Sequence, residues 1–416
     1  MSLAAAALLL AVAAPAQPPA PEPQPAAAPA SPPPRNTGTQ FRGAPKLEFG
    51  DFSIKPRGRI QYDVGHISRP NGVAAPDLGS GDELRRFRVG VEGDLPGNLG
   101  YVFEIDLAPE TVEITDANLT WEPAEGATIT LGQHNNFQSL EELTSSRFTS
   151  FIERAAFTDA FNFERRVGLS ASYGAGPLLL QGGLFLDNIH DLDEDGNDSR
   201  GGDLRIVYAP KSGDTQLHFG ASGHYRSNGD LFDAGATTRY RQRPLVHFTD
   251  TRFIATPALR VQDETSWGLE AALIRGPFHA VAETHWLRAD TPNGARTFFG
   301  GYAEAGVYLT RGDTRGYRKG RFDRTIVTRP VLGGDSAGIG AVQFNLRYDR
   351  LDLNSGPVTG GTQDGYQASL IWIPQSYIRF MLNAAHLRYD DARIPAAGGD
   401  RSYGVNVVAA RAQIDF

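Results

Sequence analysis

From residue 51 the chain alternates apolar and polar side chains with period two. In "DFSIKPRGRIQYDVG" (51–65), one face carries Phe52, Ile54, Pro56, Gly58, Ile60, Tyr62 and Val64. The other carries Asp51, Ser53, Lys55, Arg57, Arg59, Gln61 and Asp63. This length of alternation predicts a β-strand with one apolar and one fully polar face. "RRFRVGVEGD" (85–94) repeats it, with Phe87, Val89 and Val91 opposing Arg86, Arg88, Glu92 and Asp94. "LGYVFEIDL" (99–107) sets Tyr101, Phe103, Ile105 and Leu107 against Glu104 and Asp106. The intervening "LPGN" predicts a tight hairpin. The chain ends inside such a pattern: Phe416 shares a face with Ile414, Ala412, Ala410 and Val408.

Short turns recur at "GAGP" (174–177), "APKSGD" (209–214), "RGPF" (275–278) and "IPQSY" (373–377). Longer polar stretches lie at 190–203, 226–238 and 312–336. Short turns alternating with long loops predict an all-β, up-and-down transmembrane barrel, with turns in the periplasm and loops outside. Residues 47–416 accommodate roughly 16 strands of about 10 residues each. A barrel of that size leaves an aqueous channel. Lys55, Arg57 and Arg59 are therefore expected to face water at no desolvation cost. A terminal strand ending on an aromatic residue suits closure with no open edge. Tyr101, Trp121, Tyr173, Tyr208, Trp267, Trp286 and Trp372 suit interfacial girdles.

Composition narrows the function. The 416 residues include 47 Gly and 27 Pro and no Cys, which excludes disulfides, thiol nucleophiles and thiolate metal sites. The net charge of −8 argues against general nucleic-acid affinity. Only four of the 40 basic residues are Lys, at 46, 55, 211 and 319; the other 36 are Arg. The first residues, "LAAAALLLAVAAPA", predict a signal peptide over 1–16, although "MS" supplies no basic n-region. Residues 17–46 form a Pro/Ala-rich spacer that cannot pack a core. No later apolar run is long enough for a transmembrane helix.

Eight segments, in order, resemble the phosphate-selective porin O and P family. They are 58–65, 85–108, "ITDANLTWEP" (114–123), "LGQHNNFQSLEELTSSRFTSFIERA" (131–155), 266–278, "GGYAEAGVYLTRGDTRGY" (300–317), 341–354 and 371–387, with the terminal Phe416. The resemblance implies a 16-stranded channel in the bacterial outer membrane, usually a homotrimer surrounded by lipid. It also implies a constriction made by the third loop and an Arg-rich part of the fifth. "TRYRQRPLVHFTDTRF" (238–253) is similar to that part and offers Arg239, Arg241, Arg243 and Arg252. "ELRRFR" offers Arg85 and Arg86, and Arg59 matches the Arg of the first strand. The family's third loop contributes a Lys; here the segment has none, and Arg147 is the nearest basic candidate. Phosphate, pyrophosphate, another anion, or a general porin all remain open.

The chemistry of the Arg row stands apart from the resemblance. Alternate residues of an extended chain lie about 6.6 Å apart on one side. Guanidinium forks bind oxyanions bidentately, and conduction needs several moderate sites rather than one deep one. Asp94 and Asp106 are candidates for weakening such binding. "DLDEDG" (191–196) alternates carboxylates like a calcium loop but has Gly202 where the bidentate Glu is required, so a solvated acidic loop is expected. His279, Glu283 and His285 share a face, but His279 and His285 lie about 20 Å apart on a strand, so no metal is assigned. No catalytic constellation and no cofactor motif stands out. An outer-membrane lipase or a soluble β-protein are the rivals from other classes.

Overall fold

The computed structural model of the chain describes residues 44–108, 110–192, 197–332 and 337–416. The expected signal peptide, spacer residues 17–43, and residues 193–196 of the acidic stretch lie outside the described residues. Sixteen long antiparallel strands close into one barrel. In chain order they are β1 Phe52–Ile67, β2 Gly79–Leu95, β3 Leu99–Asp106, β4 Glu113–Ala124, β5 Ala127–Asn135, β6 Arg165–Ala175, β7 Leu178–Phe185 and β8 Arg200–Tyr208. They continue as β9 Thr215–Ser227, β10 Asp263–Arg275, β11 Phe278–Asp290, β12 Arg296–Tyr308, β13 Ala341–Asp352, β14 Thr362–Gln375, β15 Ile378–Asp390 and β16 Tyr403–Asp415. Each pairs with its neighbour in sequence, and β1 pairs with β16.

Phe416 extends the closing pair of strands by one more residue. The Gly58 N–H donates to the Phe416 carbonyl at 3.0 Å, and the Phe416 N–H returns the bond to Gly58 at 3.0 Å. A Cβ on Gly58 would lie 2.3 Å from the Phe416 ring, so only glycine lets the aromatic terminus lie flat across the seam. The "LPGN" turn is as the alternation requires: Gly97 and Asn98 both take positive φ, 86° and 60°.

The apolar faces point outward. Leu184 is 73% exposed and Leu204 68%, while their neighbours Phe185 and Asp203 are buried inside. A soluble protein would bury such side chains; a lipid-facing wall requires them outside. Among the described residues no helix is long and apolar enough to cross a membrane, so the strands do the crossing.

Two expectations are corrected. Stretch 312–336 does not lie among the long loops. It belongs to the connection between β12 and β13, at the same end as the tight turns, and its residues 315–320 reach inward. A small hairpin, Gly316–Arg318 with Arg321–Asp323, carries Tyr317 to the Nδ1 of His218 at 2.6 Å. The Gly320 carbonyl accepts from Arg205 at 2.9 Å. Polarity and length marked this segment as a loop, but neither states which end of the barrel it occupies.

The second correction concerns the polar face of β1. Arg59 is buried, not water-facing, because the third loop (136–164) folds into the lumen over it. Its Nη1 donates to the Ser146 hydroxyl at 2.7 Å. Lys55 and Arg57 meet Glu92 at 3.0 and 3.2 Å. The lumen is thus lined by hydrogen-bonded polar side chains packed on inward loops, which offset the cost of burying them.

Candidate anion path

The third loop is held by a carboxylate from the wall. Glu283, on β11, accepts from the Ser139 hydroxyl at 2.8 Å and from the N–H groups of Leu140 and Glu141 at 2.8 and 2.7 Å. These are free donors at the start of the short helix α1, Leu140–Leu143. Tyr302 donates to the same carboxylate at 2.7 Å. Glu283 therefore caps a loop helix, and the described residues hold no cluster of metal-ligating side chains. Further along, Asp349 of β13 accepts from the Ala156 N–H at 2.9 Å, at the start of helix α2, Ala156–Ala160.

The fifth loop (228–262) also turns inward. Arg241–Gln242 pairs antiparallel with Ile254–Ala255. Tyr240 and Gln242 are buried, so Arg239, Arg241 and Arg243 fall on the opposite side of the segment. Loop five is tied to its surroundings at several points. The Arg243 N–H donates to Asp159 of α2 at 2.8 Å. His247 meets Glu83 of β2 at 2.9 Å. Asp77, in the first loop (68–78), accepts from the Thr249 hydroxyl at 2.8 Å, from the Asp250 and Thr251 N–H groups at 2.6 and 3.0 Å, and from the Thr251 hydroxyl. Burial pushes the Asp77 carboxyl up, but the hydroxyls of Thr251 and Thr249 and the backbone donors outweigh it and hold it at about 2.

These loops shape two chambers. One of about 360 Å³ is lined by Arg166, Arg226, Arg239, Arg241, Arg243 and Arg252, with Asp159, Glu164 and Glu264 as its acids. The other, of about 550 Å³, is lined by Arg85, Arg86, Arg88, Arg154, Arg165 and Arg243, with Glu113, Glu142, Glu153, Asp159, Glu164 and Asp191. Arg243 faces both chambers. In the smaller one, Arg166 and Arg226 pair with Asp187 at 3.3 and 2.5 Å, and Arg243 with Asp250 at 3.0 Å. Arg239 and Arg241 make no ion pair or side-chain hydrogen bond with the described residues. Arg252 bonds only the Asp250 carbonyl, at 3.0 Å, and its Nε is unpartnered. Burial, then the neighbouring Arg243, lowers the Arg252 guanidinium to about 10, so it remains cationic near neutrality.

Arg85 and Arg86 enter the larger chamber together because of a β-bulge. Gln61 sits opposite Arg86 and Tyr62 opposite Leu84, leaving Arg85 as the extra residue. Strict alternation would send one of the two into lipid. Arg85 instead pairs with Glu153 of the third loop at 2.9 Å, and Arg86 donates to Gln61 at 2.9 Å. Burial acts to raise the Glu153 carboxyl, but Arg85, Arg86 and Arg411 hold it well below the usual carboxylate range.

Arg59 and Arg147 line neither chamber. Arg147 lies at the tip of the third loop, 3.7 Å from Asp415. Asp106 is bound to Arg88 at 2.7 Å and Asp94 to Lys46 at 2.8 Å, so neither faces the Arg row. Sequence reasoning missed Arg88, Arg154, Arg165, Arg166 and Arg226 as lining groups. The adjacent pair in "FERRVGL" (163–169) and the lumen parity of "GHYRS" (223–227) were the available signals.

The model of the family described as phosphate-selective porin O and P matches residues 54–416. The chain belongs to that family. It is therefore an outer-membrane channel and not an enzyme. A protein of Caulobacter vibrioides is 50% identical over 400 residues, covering 93% of this chain and 80% of that one. Porin O of Pseudomonas aeruginosa is 26% identical over 351 residues, 75% of each chain. Among solved structures, the anion-selective porin from Comamonas acidovorans aligns with a TM-score of 0.56 at 13% identity, over 88% of this chain and all of that one (100%). OmpT of Vibrio cholerae in its trimer form gives a TM-score of 0.54 at 11% identity, over 88% and 99%. At such identities these structures show the fold alone. Within the porin fold, the short-turn end is periplasmic and the connection between β12 and β13 rises from below.

Proposed function

We propose that this porin passes anions passively down a gradient, with phosphate as the favoured solute, and that the fifth-loop guanidiniums select them. One observation carries this. Arg239, Arg241 and Arg252 line one chamber with no carboxylate partner among the described residues. Cations that are not neutralised by the protein remain available to a solute, and planar guanidiniums suit tetrahedral oxyanions. Arg243 and the paired Arg166 and Arg226 extend the positive wall. The larger chamber, where cations and acids balance, supports a weaker preference. Arg85 and Arg86 serve there as the second flank of the entrance, with Arg59 and Arg147 below it. The family and the trimeric form of OmpT support a homotrimer.

The test is chloride current through single channels in a planar bilayer, with phosphate added to one side. Phosphate binding in the chamber should reduce the chloride current in a saturable way. No reduction at any phosphate concentration would remove phosphate from the proposal. A second reading, a channel for pyrophosphate or a broader set of anions, is favoured by one feature. Arg147 points toward Asp415, and Arg154 is spent on Glu142 at 3.4 Å and on loop carbonyls, so the third loop supplies no unpaired cation opposite the fifth-loop row. A one-sided row grips a small ion less tightly than a two-sided one. Stronger block by pyrophosphate than by phosphate would select this second reading.

A further inference from the structure

Beneath the third-loop tip lies a small chamber outside the two chambers described above. Its volume is about 10 Å³, and four guanidiniums line it: Arg147, Arg315, Arg324 and Arg379. A space of about 10–15 Å³ holds the centre of one water-sized particle. Arg379 gives its Nη1 to the Arg147 carbonyl and its Nη2 to the Thr149 carbonyl at 2.9 Å. Arg315 gives Nη1 to the Ser150 hydroxyl and Nη2 to the Phe148 carbonyl at 3.2 Å. In both residues the Nε–H is left without a partner, and both side chains are buried with 6% exposure.

The charges do not balance. Against four guanidiniums stand three carboxylates, and Glu304, 3.8 Å from Arg315, is already held by Arg347 at 2.7 Å. Asp323, in the lining, is also held by Arg318 at 2.7 Å. Asp415, alongside, accepts from Arg324 and lies 3.7 Å from Arg147. Buried charge without a counter-charge is costly, and an orphaned buried donor adds to that cost. A water molecule there does not offset the excess positive charge. An oxyanion such as phosphate exceeds the space.

We propose that this chamber holds a resident monatomic anion, a halide, bound between Arg315 and Arg379. It joins the third loop to Arg315 of the connection between β12 and β13, and it does not depend on which anion the channel prefers. The test is crystallographic, on full-length protein grown in sodium bromide. The expected result is one bromide anomalous peak within hydrogen-bond reach of both Nε atoms, lost in Arg379→Gln crystals. If that variant fails to assemble, crystals of the native protein decide alone: a chamber without an anomalous peak overturns the proposal. In solution, the midpoint of heat-modifiable gel migration should be several degrees higher in bromide than in gluconate at equal ionic strength. Equal midpoints would also overturn it.

Discussion

Arg241 and Arg85 carry the same charge in different company. Arg85 spends its fork on Glu153, whereas Arg241 has no acid partner among the described residues. Two unit charges about 4 Å apart are worth about 1 kcal/mol in water-like screening, or roughly five-fold in relative permeability. Arg241→Ala should therefore lower the anion-to-cation permeability ratio about five-fold, and Arg85→Ala should change it by less than two-fold. Reversal potentials of the two variants check this, and equal effects would show that pairing does not matter. Asp77 makes a second residue-scale prediction. Its folded value of about 2 lies below the ordinary Asp value of about 3.9, so its tether stabilises fully above that value. The contribution is lost as pH falls through about 2. Current noise from the fifth loop should rise between pH 4 and pH 2, and Asp77→Asn should show the noisy behaviour already at pH 7.

At the scale of elements, the start of the third loop is capped by one wall carboxylate, Glu283. Glu283→Ala leaves three helix-start donors unsatisfied, at about 1–3 kcal/mol each. The loop should detach from β11, raising single-channel conductance about two-fold while the barrel stays heat-modifiable. Unchanged conductance would place the anchor elsewhere, for example at Asp349 and Ala156. The strands themselves were legible from alternation, because lipid and lumen impose opposite demands on successive residues. Arg85 and Arg86 were legible as a pair but not as neighbours in the lumen: a bulge breaks parity, and nothing in "ELRRFR" marks it. The role of Glu283 as a cap was hidden, because its donors lie more than 140 residues away in sequence.

At the scale of the whole molecule, the barrel is filled from both ends. Loops three and five descend, and the connection between β12 and β13 rises to meet the third loop through Arg315 and Ser150. The sequence shows that 312–336 is long, polar and basic, yet its end of the barrel follows from counting strands, and one miscounted hairpin reverses the answer. Replacing 313–328 with a short Gly/Ser turn should raise conductance and leave the anion preference intact, since the fifth-loop row is untouched. A loss of preference would move the selective site below the third loop. The positive row of loop five was legible because it alternates; its lack of carboxylate partners depends on tertiary packing that no local pattern encodes. The most direct test of that row is the zero-current potential across a bilayer in a ten-fold potassium chloride gradient, for the native channel and for Arg239→Ala/Arg241→Ala/Arg243→Ala. Selection by the fifth loop requires a potential of anion-selective sign in the native channel that collapses toward zero in the triple variant. A cation-selective native channel, or a triple variant with unchanged potential, would contradict it.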